Sequence, residues 1–119
     1  MTPDRKTAEA ALSWAEEQNP GPWSAHSRYV AEACQNIASY CPGLSAERAY
    51  VLGLLHDIGR YAGVTSERHL LDGYRYCMER GWEKAAQVCI SHAFMIQDVG
   101  TSIGTFDMSR EDYQFIEEF

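Results

Sequence analysis

The sequence predicts an all-α protein, a single-domain bundle of about five to six helices across residues 1–119. Three observations carry this. Apolar residues recur at helical spacing in one segment after another, Ser, Thr or Asp stands ahead of most of those segments as N-cap residues do, and Pro-Gly clusters or short polar loops separate them. Every segment reads as a helix or a short connection. A length of 119 residues with 45% hydrophobic content suits one folded core.

The elements follow in order. Thr2 as N-cap, Pro3 at the first helical position and Asp4 in the first turn start a helix that runs to about Gln18. The run Asn19-Pro20-Gly21-Pro22 stops it. Ser24 can cap the second helix, in which His26, Val30, Ala33, Ile37 and Cys41 fall on one face, expected to be the inward one, until Pro42-Gly43. Ser45 opens a third helix whose interior, Ala49-Tyr50-Val51-Leu52-Gly53-Leu54-Leu55, is apolar on every side and therefore central. His56 and Asp57 close that run. Thr65 or Ser66 can cap a fourth helix ending at Gly81, with His69, Gly73 and Tyr76 or Cys77 sharing a face. A fifth, about 82–97, aligns Ala85, Val88, Cys89, His92 and Ile96. After a loop, Ser109 with Asp112 resembles a capping box and starts the last helix, which reaches Phe119 with no stop signal, as though the chain were cut mid-helix.

A formal charge of −7 and a pI near 5.0 argue against partners that demand concentrated Lys and Arg, so neither a nucleic-acid polymer nor an anionic membrane is expected. The first residues lack the basic flank and apolar core of a signal peptide, and no apolar stretch approaches the roughly 20 residues of a membrane span. A cytoplasmic location is the expectation. Four cysteines, Cys34, Cys41, Cys77 and Cys89, form no Cys-x-x-Cys pair, which suits reduced and mostly buried thiols.

The chain holds four histidines, and the periodicities place each on the inward stripe of a different helix. Four separately buried imidazoles would each need a hydrogen-bond partner in a small core, whereas one shared metal centre satisfies all of them. Imidazole suits transition ions such as Mn, Fe, Co, Ni or Zn, and a carboxylate can bridge two of them. Asp57 is the natural bridge. Neighbouring helical residues diverge by about 100°, so His56 and Asp57 must straddle an ion lying between their directions. Gly53, Gly59 and Gly73, set within helical patterns or at their ends, suggest close approach of backbone or ions beside that centre.

The stretches "SAHSRYVAEAC", "GLLHDIGRY", "RHLLDGY" and "CISHAF" together resemble the HD superfamily of metal-dependent phosphohydrolases, over roughly residues 22–96. The resemblance implies an all-helical HD-type fold in which the first His, the His-Asp pair and a later Asp hold one metal. In members with two metals, two further histidines join the Asp of the pair. Carried over by position, His26, His56 and Asp57 would hold one divalent transition-metal ion, and Asp57, His69 and His92 a second. The surroundings of His69 and His92 look most like the two-metal branch, which includes symmetrical dinucleoside tetraphosphate hydrolases and cyclic dinucleotide phosphodiesterases. One departure stands out: nothing downstream matches the family's closing Asp. Asp98, Asp107 and Asp112 are available to substitute; otherwise the chain is a fragment of a longer protein.

The implied activity is hydrolysis of a phosphomonoester, phosphodiester or nucleotide by metal-activated water, with Asp57 in the catalytic centre and Arg60 as a planar, permanently charged phosphate contact. A small phosphorylated substrate is the expected partner. Arg28, Arg68 and Lys84 are further cations that could meet phosphate, and Tyr29, Tyr61, Tyr74 and Tyr76 could line a pocket. Two other classes share the ligand set: a mixed-valent di-iron oxygenase of the same fold, and a non-catalytic binding or regulatory module in which metal holds the helices together.

Overall fold

The structure is a computed structural model that describes residues 1–94, 99–101 and 104–119. Among these lie six α-helices, two short 3-10 turns and no strand. Helix α1 spans Arg5–Gln18, α2 Trp23–Ser39, α3 Ala46–Leu55, α4 Arg68–Glu79, α5 Glu83–Ser91 and α6 Arg110–Glu118; the 3-10 turns are Ile58–Ala62 and Val99–Thr101. None of the described helices is long and apolar enough to cross a membrane.

The all-round apolar third helix is central, as its composition requires. Tyr50, Val51, Gly53, Leu54 and Leu55 are buried, and α3 packs against α1, α2 and α5. Ala8, Ala11, Leu12 and Ala15 of α1 cover one side, and Cys77, Ala85, Ala86 and Cys89 from α4 and α5 complete the core. A smaller cluster of Leu71, Ile90 and Ile116 seats α6. All four cysteines are free thiols; Cys77 and Cys89 are buried, whereas Cys34 and Cys41 are only partly covered.

Several expectations require correction. Asp4, not Thr2, caps α1, its carboxylate accepting from the Thr7 backbone N–H at 2.7 Å. Ser24 lies inside α2, and Pro22 takes the N-cap position. The inward stripe of α2 is Ser24, Ser27, Ala31 and Ala38, so Ile37 is 65% exposed and Ala33 faces out. The physical reason is proximity. A Cβ at Gly53 would come within 3.0 Å of the Ala31 Cα, so α3 lies too close for a large side chain between the helices. The stripe of larger residues is pushed outward, and His26 is carried to the rim with it. Helix α4 ends at Glu79 rather than Gly81, with Arg80 as C-cap and Gly81 left-handed at φ +75°. For α5, Ile96 lies outside the described residues.

Neither Thr65 nor Ser66 caps α4. Its N-cap residue, Glu67, makes no side-chain capping bond. Instead the carboxylate of Asp107, from far along the chain, accepts from the backbone N–H groups of Ser66 and Arg68, each at 2.8 Å. The Thr105 carbonyl accepts from the Glu67 N–H at 2.9 Å, and the Thr105 N–H donates to Ser66 Oγ at 2.8 Å. This loop thus satisfies donors that α4 would otherwise leave unpaired. Slight burial works to raise the Asp107 carboxyl, but the donated N–H bonds outweigh it and hold the group below its ordinary value of 3.8. A depressed folded-state value means the contribution is complete above 3.8 and is lost as the pH falls through the folded value.

The expected close approach at Gly59 and Gly73 is present. A Cβ on Gly59 would lie 2.0 Å from the His69 carbonyl oxygen and 2.5 Å from the Gly73 nitrogen. These atoms are backbone and have nowhere to go. We therefore expect Gly59→Ala to lose ~3 kcal/mol of stability or fail to fold, beyond the usual cost of an extra methyl in a packed core. Asp107→Ala should lose about 1 kcal/mol as a helix cap does, and its stability should fall less steeply than wild type as the pH drops below 3.8. Urea unfolding across pH measures both. A Gly59→Ala protein as stable as wild type would contradict the packing account.

Candidate metal centre

The four histidines and Asp57 converge on one point from four helices. His26 comes from the first turn of α2, and His56 is the C-cap of α3. His69 sits in the first turn of α4, and His92 is the C-cap of α5. Asp57 follows the end of α3, with φ −107° and ψ 17° outside the helical region. The helix stops at Leu55, which resolves the divergence expected of two adjacent helical residues: the chain turns between His56 and Asp57, and both side chains reach the same centre.

Asp57 divides its carboxylate. Its Oδ2 lies 3.1 Å from His56 Nε2 and 3.4 Å from His26 Nε2. Its Oδ1 lies 3.1 Å from His69 Nε2 and 3.0 Å from His92 Nε2. Within each half the two Nε2 atoms are 3.3 Å apart. The centre is therefore two three-donor groups, His26–His56–Asp57 and Asp57–His69–His92, joined at one carboxylate.

Three of the imidazoles have their orientation and tautomer set from behind. His56 Nδ1 meets the Gly53 carbonyl at 2.6 Å, His69 Nδ1 the Ser66 carbonyl at 2.7 Å and His92 Nδ1 the Cys89 carbonyl at 2.9 Å. A carbonyl only accepts, so each Nδ1 carries a proton and donates it, and the Nε2 is the ring nitrogen turned toward the centre, a free ligand atom whenever the ring is neutral. Backbone anchoring of this kind is how histidine ligands are oriented toward metals. The consequence is electrostatic. With both rings neutral, the Nε2 lone pairs of His69 and His92 face each other and a carboxylate oxygen, an arrangement that positive charge at their focus, a metal ion or a ring proton shared with Asp57, makes favourable.

The distances agree with that reading. An ion bound to imidazole nitrogen at about 2.0–2.1 Å has neighbouring ligands about 2.9 Å apart in an octahedron and about 3.4 Å apart in a tetrahedron. The contacts of 3.0–3.4 Å fall in this range. Donor chemistry and spacing thus fit divalent transition ions held by His26, His56, Asp57, His69 and His92. Burial is the largest single influence on Asp57 and works to raise its carboxyl. Bonds to His56, His69 and His92 outweigh it and keep the group far below the usual carboxylate range. For His56, burial opposes the charge, but its bond to Asp57 and the Asp57 charge push the imidazole above its ordinary value.

The two ends of the centre differ in access. The His69 side chain is 4% exposed, and that of His26 is 56% exposed. A cleft of about 520 Å³ opens at the His26 end, lined by His26, Asp57 and Arg60 together with the Asn19–Trp23 connection and Gly63–Thr65. The Arg60 guanidinium donates to the Thr65 carbonyl at 2.6 Å and has no carboxylate partner among the described residues. It is a cation held on the cleft wall. The other expected contributors are elsewhere. Arg28 pairs with Glu16 and Arg68 with Asp72, while Lys84 is exposed on α5. Tyr29 points to solvent, Tyr61 and Tyr76 pack around Trp14, and Tyr74 packs on Phe115 and Phe119. None of the four lines the cleft.

Of the aspartates that could supply a closing ligand, Asp107 is committed to the start of α4, and Asp112 pairs with Arg75 at 2.9 Å while its N–H donates to the N-cap Ser109 Oγ at 3.1 Å, the N-cap half of the expected capping box. Asp98 lies outside the described residues. The part of the site missed in the sequence is the Asn19–Trp23 wall. The Asn-Pro-Gly-Pro run was legible as a helix stop, but its fold-back, with Asn19 Nδ2 donating to the Arg60 carbonyl at 2.7 Å, needs the tertiary structure.

An all-helical fold with four histidines gathered around an aspartate of a His-Asp pair defines an HD-like protein. A profile of the HDOD domain, the HD-related output domain, matches residues 12–104, and the chain belongs to that family. No curated protein and no solved structure matches the chain.

An ion that binds only the folded state at a hundredfold excess over its Kd stabilises by about 2.7 kcal/mol, roughly 10 °C in Tm for a chain of this size. Mn²⁺ or Zn²⁺ should produce such a rise by scanning fluorimetry, and Asp57→Ala should abolish it. An equal rise in the variant would place the ion elsewhere.

Proposed function

We propose that the chain is a metal-dependent phosphohydrolase acting on a small phosphorylated substrate, a phosphomonoester, phosphodiester or nucleotide. The observation that supports it best is the division of the Asp57 oxygens between two imidazole pairs beside a cleft lined by Arg60, which has no carboxylate partner among the described residues. Divalent ions bound in such a centre lower the pKa of a water and offset charge that develops on a phosphoryl oxygen.

The chain's own residues do the rest. Asp57 supplies one carboxylate to both halves and keeps it ionised. His56, His69 and His92 hold their rings by backbone anchors, so little reorientation is needed when the site is used. Arg60 offers a planar fork suited to phosphate oxygens, with one arm fixed by the Thr65 carbonyl. In a chain of net charge −7, that local cation is what lets an anion approach.

Membership of the HDOD family favours a second reading, a non-catalytic regulatory module that keeps the metal centre for structure. Hydrolysis of an aryl phosphate, a bis-aryl phosphate and nucleotides with Mn²⁺ separates the two. The enzyme reading expects turnover that falls at least a hundredfold in Asp57→Asn and His56→Ala with helical content retained. For Arg60→Ala it expects roughly a tenfold rise in KM, the size of one charge-assisted contact. Metal binding with no turnover on any of the three would favour the module, and iron-dependent O₂ uptake would favour the oxygenase.

A further inference from the structure

The two halves of the centre share Asp57 but are built differently. In the His69–His92 half both rings are anchored by backbone carbonyls, and the His69 and His92 side chains are 4% and 21% exposed. In the other half, His56 is anchored, but His26 is 56% exposed and its Nδ1 has no hydrogen-bond partner among the described residues. Its ring must be ordered at the moment an ion binds, which weakens that half. No aspartate among the described residues completes it. The cleft meets the centre on this side, touching His26, Asp57 and Arg60 but neither His69 nor His92.

We propose that the halves have different duties: the His69–His92 half holds its ion tightly on protein ligands alone, whereas the His26–His56 half is completed by the phosphate group of the molecule in the cleft. Ion and phosphate then bind cooperatively in the outer half. Arg60, which lines the same cleft, contributes to that cooperativity as a second cation for the phosphate. The identity of the anion rests on the phosphohydrolase reading; the inequality of the halves rests on burial and anchoring alone. Linkage makes the effect reciprocal, so phosphate must tighten the outer ion by the factor by which that ion tightens phosphate.

Equilibrium dialysis of the full chain against Mn²⁺, with and without inorganic phosphate, followed by elemental mass spectrometry, tests this without reference to turnover. One ion per chain should bind with an affinity that phosphate leaves unchanged, and a second should tighten at least tenfold when phosphate is present. His26→Ala and Arg60→Ala, both at cleft positions away from the core, should suppress the phosphate-dependent ion and spare the tight one, with circular dichroism confirming the fold. His92→Ala should remove the tight ion. Two ions of equal affinity, indifferent to phosphate, would overturn the inference while leaving the binuclear centre intact. Phosphate that tightens the ion lost in His92→Ala would also overturn it. No bound ion under either condition would overturn the metal centre and this inference with it.

Discussion

The structure depends on one carboxylate shared by four imidazoles. Asp57 is buried, and a buried charge is tolerated only when other groups meet it at every oxygen. Here each oxygen is met by two ring nitrogens, and those four rings come from four helices. Satisfying Asp57 therefore dictates where α2, α3, α4 and α5 must begin or end. It also explains why all four histidines sit at helix termini or in first turns, where a side chain can leave the helical direction.

Several features away from the centre serve that convergence. The break after Leu55 lets His56 and Asp57 point together. The 3-10 turn that follows must pass directly over the start of α4, and only glycine at 59 allows the His69 carbonyl so close. The loop carrying Thr105 and Asp107 then holds the first turn of α4 from outside, and His69 lies in that turn. Packing and capping thus act on the same element from two sides. The third side is hydrogen bonding: the carbonyls of Gly53, Ser66 and Cys89 turn three rings so that their free nitrogens look inward.

Much of this was legible in the sequence because helical periodicity is a local property. Each helix, the central place of α3, the Ser109 N-cap and the meeting of His56, Asp57, His69 and His92 follow from spacing and residue type. What was not legible depends on distance between helices. The Gly53–Ala31 contact decides which stripe of α2 faces in, and the sequence of α2 alone, with an apolar stripe through Ile37, points to the wrong one. The same rotation puts His26 at the exposed rim, where it still reaches Asp57 because an imidazole is long enough to lean over the edge. The Asp107 cap was equally out of reach, since donor and acceptor are about 40 residues apart and no local motif joins them. The cleft wall at Asn19–Trp23 combines both problems.

The HDOD match and the gathered His and Asp donors pull in different directions, toward a family with many regulatory members and toward the metal-dependent chemistry proposed above. The account stands on the second: donors at ligand-edge spacing, with tautomers fixed toward a common focus, are costly to maintain without a cation. Anomalous diffraction from crystals grown with Mn²⁺ and phosphate tests this most directly. The account predicts two peaks, one on each side of the Asp57 carboxylate, the first among His26 and His56 and the second between His69 and His92. Crystals diffracting well with no peak at Asp57, and the imidazoles hydrogen-bonded to one another in its place, would contradict it.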